Sequence, residues 1–211
     1  MSASAGTIRG HVRAQARPEV KEDVEAGKYE TRKYKFLERI DYDRMTDFIV
    51  YIDAPELKPV PPPEKPVQIV IQKNAVFHPH VLPILVGTTV EWPNNDDIYH
   101  NVFSMSEAKP FDLGIYKKNE VKRVTFDKPG RVDVFCSIHT KMSCVILVLT
   151  NPYFASSDKD GNYVISNVPA GTYQIKAWHE RLPIQTKTIT VPESGEVNLD
   201  FVLSVSGLPK Y

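Results

Sequence analysis

The 211-residue sequence predicts an all-β protein built from two modules. Short apolar runs of strand length recur along most of the chain, separated by Gly, Pro, Asn and Asp clusters that favour turns. Helical periodicity is nearly absent, and one proline-dense stretch divides the chain. Composition removes several alternatives. Lys and Arg number 26 against 26 Asp and Glu, so there is no cationic excess for nucleic acid. Two cysteines cannot build a disulfide scaffold or a four-cysteine cluster. No apolar run is long enough to span a membrane as a helix. The first residues lack the apolar core of a signal peptide and read as a stub left after its cleavage, with Met1 added for expression.

In chain order, residues 7–13 alternate as a strand. Residues 14–46 form a charged insertion in which Pro18, followed by Glu19, Glu22 and Asp23, resembles a helix start. Gly27 interrupts it and no apolar stripe follows. Residues 47–53 are a compact apolar strand. Prolines 55, 59, 61, 62, 63 and 66 then make an extended linker. Beyond it, strands are expected at 67–72, 81–86, 88–92, 100–104, 120–126, 131–135 and 143–149, with turns at 93–97 and 128–130. About seven strands in so short a span indicate a sandwich or barrel. The pattern resumes with a turn at 158–162, strands at 163–165 and 172–178, and strands at 185–191 and 197–203.

The chemistry concentrates at the end of the strand at 131–135. Cys136, His139 and Met142 follow within seven residues, and His100 lies upstream beside Asn101. One thiolate, two imidazoles and a thioether are the ligand set of a type 1 copper site, in which the thioether is a weak axial ligand. Zinc is the rival metal for a Cys/His set. It seldom takes thioether, so Met142 favours copper.

These residues identify a resemblance. Residues 67–150 resemble the cupredoxins, in particular the plastocyanin/amicyanin-like group. The matching segments are 77–96, then His100 with Asn101, then 126–142 with the short Cys136, His139, Met142 spacing. The resemblance implies a Greek-key β-sandwich holding one copper, Cu(I)/Cu(II), with His100, Cys136, His139 and Met142 as ligands. It also implies that the Asn101 amide donates to the Cys136 sulfur while the Asn101 side chain braces the ligand loop. Cys136 would carry the electron and His139 would be its solvent-facing exit. Residues 155–203 resemble a carboxypeptidase-regulatory-like, transthyretin-like sandwich, on the turn and strand motif at 158–178. That family opens with a Gly-x-Val strand, which here is Gly10, His11, Val12, ahead of the linker. The expected organisation is a split sandwich, 1–55 plus 151–211, with the linker at 56–65 and a cupredoxin at 66–150 inserted. The whole order resembles exported methylamine-utilisation-type proteins.

The remaining cysteine and histidines read as structural. Cys144 reads as a buried strand residue, because a disulfide would consume the Cys136 thiolate. His78 and His80 read as a structural pair or a secondary metal site, and His179 as structural beside Trp178. Asp158 and Asp160 lack the further ligands of a calcium loop. No catalytic motif stands out. The expected function is a periplasmic or otherwise exported single-electron carrier, not an enzyme. Its partners would be redox proteins such as a cytochrome or a membrane complex. Two other classes stay open: a copper storage, delivery or resistance protein, and a non-redox interaction module with a structural metal.

Overall fold

The computed structural model describes residues 5–16, 41–54, 57 and 68–205. The helix start expected at residue 18 and nearly all of the proline-rich linker lie outside them. Among the described residues the chain is all-β apart from a single 3-10 turn, Tyr42–Arg44, capped by the Asp41 carboxylate. The strands begin with β1 (Ala5–Gln15), β2 (Ile49–Ile52), β3 (Gln68–Ile69), β4 (Ile71–Lys73), β5 (Val76–His78) and β6 (Val81–Leu85). They continue with β7 (Thr89–Pro93), β8 (His100–Ser104), β9 (Phe111–Tyr116), β10 (Val121–Thr125), β11 (Gly130–Phe135) and β12 (Ser143–Leu149). The last are β13 (Phe154–Ser156), β14 (Asn162–Pro169), β15 (Gly171–His179), β16 (Leu182–Val191), β17 (Glu196–Asn198) and β18 (Phe201–Ser204).

Two sandwiches result. In the central one, a sheet ordered β10-β7-β3 faces a sheet ordered β6-β12-β11-β8-β9. Their shared core includes Val90, Trp92, Val102, Phe126, Val132, Val134 and Ile146. These are the alternate residues of each strand, as a two-layer sheet demands. The strand expected at 67–72 breaks at Val70, whose amide donates to Glu91 in β7. A hairpin, β4–β5, follows, with Asn74 and Ala75 both at positive φ (56° and 54°) in its two-residue turn. β9 was not expected from the sequence. Gly114, at φ 68°, interrupts its alternation, and the Asp112 carboxylate accepts from the Gly114 amide at 2.8 Å.

In the outer sandwich, β1 lies between β14 on one side and β17 and β18 on the other, while β2 lies between β13 and β15. Strands from the N-terminal segment therefore sit inside both sheets. Their core gathers Ile8, Val12, Phe48, Val50, Ile52, Ile165, Ile175 and Phe201. The chain leaves this sandwich after Ile52 and returns at Asn151, and the two points are stitched together. The buried Asn151 amide group donates to the Ile52 carbonyl at 2.9 Å, and the Ile52 amide donates to the Tyr153 carbonyl at 2.9 Å. The strand expected at 197–203 is divided into β17 and β18, because Leu199 and Asp200 turn aside to bond β1. The Leu199 amide donates to the Arg9 carbonyl at 2.8 Å, and the Asp200 carboxylate accepts from the His11 amide at 2.7 Å.

The sandwiches share a third apolar cluster. β12 is buried on both faces. Cys144, Ile146 and Val148 point into the central core. Val145, Leu147 and Leu149 pack with Val81 against Ile49 and Trp178 of the outer sandwich. At roughly 1.5–3 kcal/mol per buried aliphatic side chain, this contact supplies the adhesion. The polar contact across the same seam, His80 with Glu180 at 3.0 Å, is partly exposed. Such pairs contribute at most about 1 kcal/mol, so it sets alignment rather than strength.

Gly10 is confined by the crossing at Leu199, where an added Cβ would overlap the Leu199 carbonyl. Gly10→Ala is expected to lower the urea midpoint by the equivalent of about 2 kcal/mol, with an unchanged slope. His179 is buried beside the Phe48 ring, and its Nδ1 accepts from the Arg181 amide at 3.1 Å. Burial holds its pKa below the usual imidazole value. The unfolded chain therefore takes up the proton first, and stability present above about pH 6.5 is lost as pH falls. Urea unfolding between pH 7.5 and 5 should show this slope, and His179→Gln should flatten it.

Candidate metal centre

At one pole of the central sandwich, two strands and one loop deliver three donor atoms to a common point. β8 opens with His100, fully buried. β11 ends at Phe135, and Cys136 follows with its side chain turned into the core. The loop then closes on itself: the Cys136 amide donates to the Met142 carbonyl at 3.1 Å, and the Met142 amide donates to the His139 carbonyl at 2.9 Å. This turn returns the half-buried His139 over Cys136. His100 Nδ1 lies 3.1 Å from His139 Nδ1, and Cys136 Sγ lies 3.7 Å from His139 Nδ1. All three donor atoms lie within 4.8 Å of one another.

The donor set fits a soft or borderline metal. Bonds of about 2.0 Å to nitrogen and about 2.3 Å to sulfur reach across the 3.1 Å and 3.7 Å edges of the cluster. The thiol adds the softness that favours copper or zinc over magnesium or calcium. Met142 is fully buried in the same apolar cluster as Cys136. The structure thus brings His100, Cys136 and His139 together, with Met142 closing the loop behind them.

The surroundings fix which atoms are free to bind. His100 Nε2 donates to the Asp96 carboxylate at 2.8 Å, which leaves Nδ1 as the electron-pair donor. Asp96 in turn accepts from the Asn74 amide at 2.7 Å and the Ala75 amide at 2.9 Å, in the turn of the β4–β5 hairpin. Burial pushes the Asp96 carboxyl up, but the bonds from Ala75, His100 and Asn74 outweigh it and hold it below the usual carboxylate range. Asp96 was read in the sequence only as turn chemistry. An acidic residue four positions before a candidate ligand in a turn was the signal available.

The Asn101 amide lies 3.4 Å from Cys136 Sγ and donates to it. Its side chain departs from the expectation. Instead of bracing the ligand loop, its amide group donates to the Asp112 carboxylate on β9 at 2.7 Å. β8 and β9 pair side by side with an irregularity between Asn101 and Phe103, and Asp112 stands opposite Phe103 in that register. Across the same ladder Tyr116 stands opposite His100. Its hydroxyl donates to the Trp92 carbonyl at 2.9 Å, and burial keeps the phenol neutral.

The other sequence candidates lie elsewhere. Cys144 is buried and free, and burial pushes its thiol pKa up, so it stays protonated. His80 turns its two ring nitrogens toward protein oxygens, lying 3.2 Å from the Ser143 carbonyl and 3.0 Å from the Glu180 carboxylate. His78 is exposed at the end of β5. Asp158 closes its own turn, accepting from the Asp160 amide at 2.9 Å and the Asn162 amide at 2.8 Å.

Comparison with known proteins gives partial likenesses. Residues 150–199 match the family described as polysaccharide lyase family 4, domain II. That description is not the carboxypeptidase-regulatory one suggested by the turn motif. No curated protein matches the chain. Among solved structures, a reduced amicyanin variant is 26% identical, with a TM-score of 0.36, covering 38% of this chain and 80% of its own. A purple cupredoxin from Nitrosopumilus maritimus is 27% identical, with a TM-score of 0.35, covering 39% of this chain and 98% of its own. A copper-containing nitrite reductase from Thermus scotoductus is 33% identical, with a TM-score of 0.37, covering 46% of this chain and 24% of its own.

Asp96→Asn retains the size of the side chain and removes its charge. It is expected to weaken metal affinity by about 10- to 100-fold, measured by competition with a chromophoric chelator. Asp112→Asn, one strand further from the donors, is expected to change it less than threefold, on the order of a surface substitution.

Proposed function

We propose that the chain is a copper protein that carries single electrons, holding one type 1 copper at His100, Cys136, His139 and Met142. The observation that carries this reading is the convergence of two imidazole nitrogens and one thiol within 4.8 Å in an apolar pole. His100, Cys136, His139 and Met142 would hold the copper, which would supply one-electron chemistry between Cu(I) and Cu(II).

The protein's part is to hold the donors still. His100 is fixed at both ring nitrogens, by Asp96 and by the donor cluster. The Asn101 amide offers a hydrogen bond to sulfur, which stabilises charge on Cys136 and tunes the site's potential. Strands β8 and β11 lock the backbones of both, so a change in charge finds little room for rearrangement. His139, half-buried on the loop, is the donor nearest solvent and the natural exit for an electron. Ile98, Tyr99, Ile115 and Ile138 are exposed apolar side chains next to the ligands in sequence or register. They suit brief contact with a redox protein such as a cytochrome or a membrane complex.

In this reading the chain works outside the cytoplasm, in the periplasm or a comparable compartment, as a carrier and not an enzyme. No helix among the described residues is long and apolar enough to cross a membrane.

Copper-reconstituted, oxidised protein is expected to absorb intensely in the visible, with the EPR signature of a thiolate–copper bond. Cys136→Ser should abolish the band, and Cys144→Ser should leave it. A colourless oxidised complex with stoichiometric copper would sink the proposal. Tight Cu(I) binding without reversible electron exchange with a small cytochrome would instead assign the chain to copper storage or delivery.

A further inference from the structure

The outer sandwich reaches the ligand loop through one turn. Between β15 and β16, Glu180 extends its carboxylate to His80 Nε2 at 3.0 Å, and the other ring nitrogen of His80 lies 3.2 Å from the Ser143 carbonyl. Ser143 directly follows Met142. The backbone of His80 completes the grip, its carbonyl accepting the Val145 amide at 2.8 Å. Glu180 is itself held from β11, where Arg131 donates to its carbonyl at 3.4 Å and stacks over the Trp178 ring at 5.7 Å. The turn therefore grips β11, which leads into Cys136, and β12, which leads out of Met142. The charged groups around it are Arg131 on β11, which also pairs with Asp133, and Arg181, whose guanidinium lies 3.7 Å from the Glu180 carboxylate.

We propose that Glu180 is a positioning residue through which the outer sandwich, by way of His80 and Ser143, sets the exit of the ligand loop and so the placement of Met142. This deepens the copper reading and rests on it. Three features separate the chain of contacts from incidental surface pairing. The acceptor on β12 is the carbonyl of Ser143, the residue directly after Met142. Both ring nitrogens of His80 lie within hydrogen-bond distance of these partners, and its own carbonyl accepts from the Val145 amide. The pair spans two sandwiches already joined by an apolar seam, so it adds alignment to a contact that is otherwise non-directional. The outer sandwich then has a role at the copper site that no ligand count would reveal.

The test uses Glu180→Gln, which keeps the shape of the turn and its bond from Arg131, together with His80→Gln and the double variant. In the metal-free protein, amide hydrogen exchange at Cys136, Met142 and Val145 is expected to accelerate about three- to tenfold in each single variant. The double variant should be no faster than the faster single one, because both lie on one chain of contacts. In the copper-loaded protein the same variants should shift the reduction potential and the EPR hyperfine splitting while leaving copper stoichiometry at one. Exchange at these amides equal to wild type, or additive effects in the double variant, would overturn the proposal. So would an unchanged potential and EPR spectrum in loaded variants. A wild-type chain that takes up no copper would sink the copper reading alone, and the exchange rates in metal-free protein would still decide whether the turn holds the loop.

Discussion

The architecture turns on a strand that cannot be exposed on either side. β12 runs Ser143–Leu149 with six successive buried residues, so every side chain beyond the first must find an apolar partner. One face of it completes the core beneath the donor cluster, and the other meets Trp178 and Ile49. Removing the outer sandwich would leave Val145, Leu147 and Leu149 facing water. That is an apolar surface of the kind single domains avoid. The two modules are thus joined by burial, and the hydrogen bonds along the seam orient a contact whose strength comes from area.

The same economy applies at the pole. Few of the groups that hold the donors belong to the loop that carries most of them. Asp96 ties His100 to the β4–β5 hairpin, Asn101 lends its amide to sulfur, and Ser143 is reached from His80. Each tie crosses between elements, so rigidity in the sheets is transmitted to the donor atoms. A site framed by strands holds its donors more precisely than one framed by loops.

Much of this was legible in the residues, for specific reasons. Alternation exposed β7 and β11 because each has one buried face. The Cys136, His139, Met142 spacing exposed the donors because the three sit on one short loop. The run of apolar residues in β12 also revealed a strand, but not that its second face serves another module. A continuous apolar run is read the same way whatever covers it. β9 was hidden by Gly114 and by Asp112, which look like turn residues and are bonded to each other as one. The parts played by Asp96 and Glu180 were hidden because both depend on partners distant in sequence: the hairpin turn for one, and a histidine 100 positions away for the other. The turn of Asn101's side chain toward Asp112 belongs to the same class. It follows from the register between β8 and β9, which composition does not encode.

The stitch between Ile52 and Asn151 has a consequence for how the molecule acquires its shape. The outer sandwich cannot bring β1 and β2 beside β13 to β16 until the ends of an intervening segment of roughly 100 residues meet, and closing so long a loop costs entropy that grows with the logarithm of its length. The Asn151 and Tyr153 bonds to Ile52 are what hold those ends together in the folded molecule, so they carry the closure that the outer sandwich requires. On a ribosome the order is dictated further. β1 and β2 emerge first, yet every strand they pair with among the described residues lies beyond Asn151. The outer sandwich can therefore begin to assemble only after the whole intervening segment has been made, so the direction of synthesis sets its earliest start.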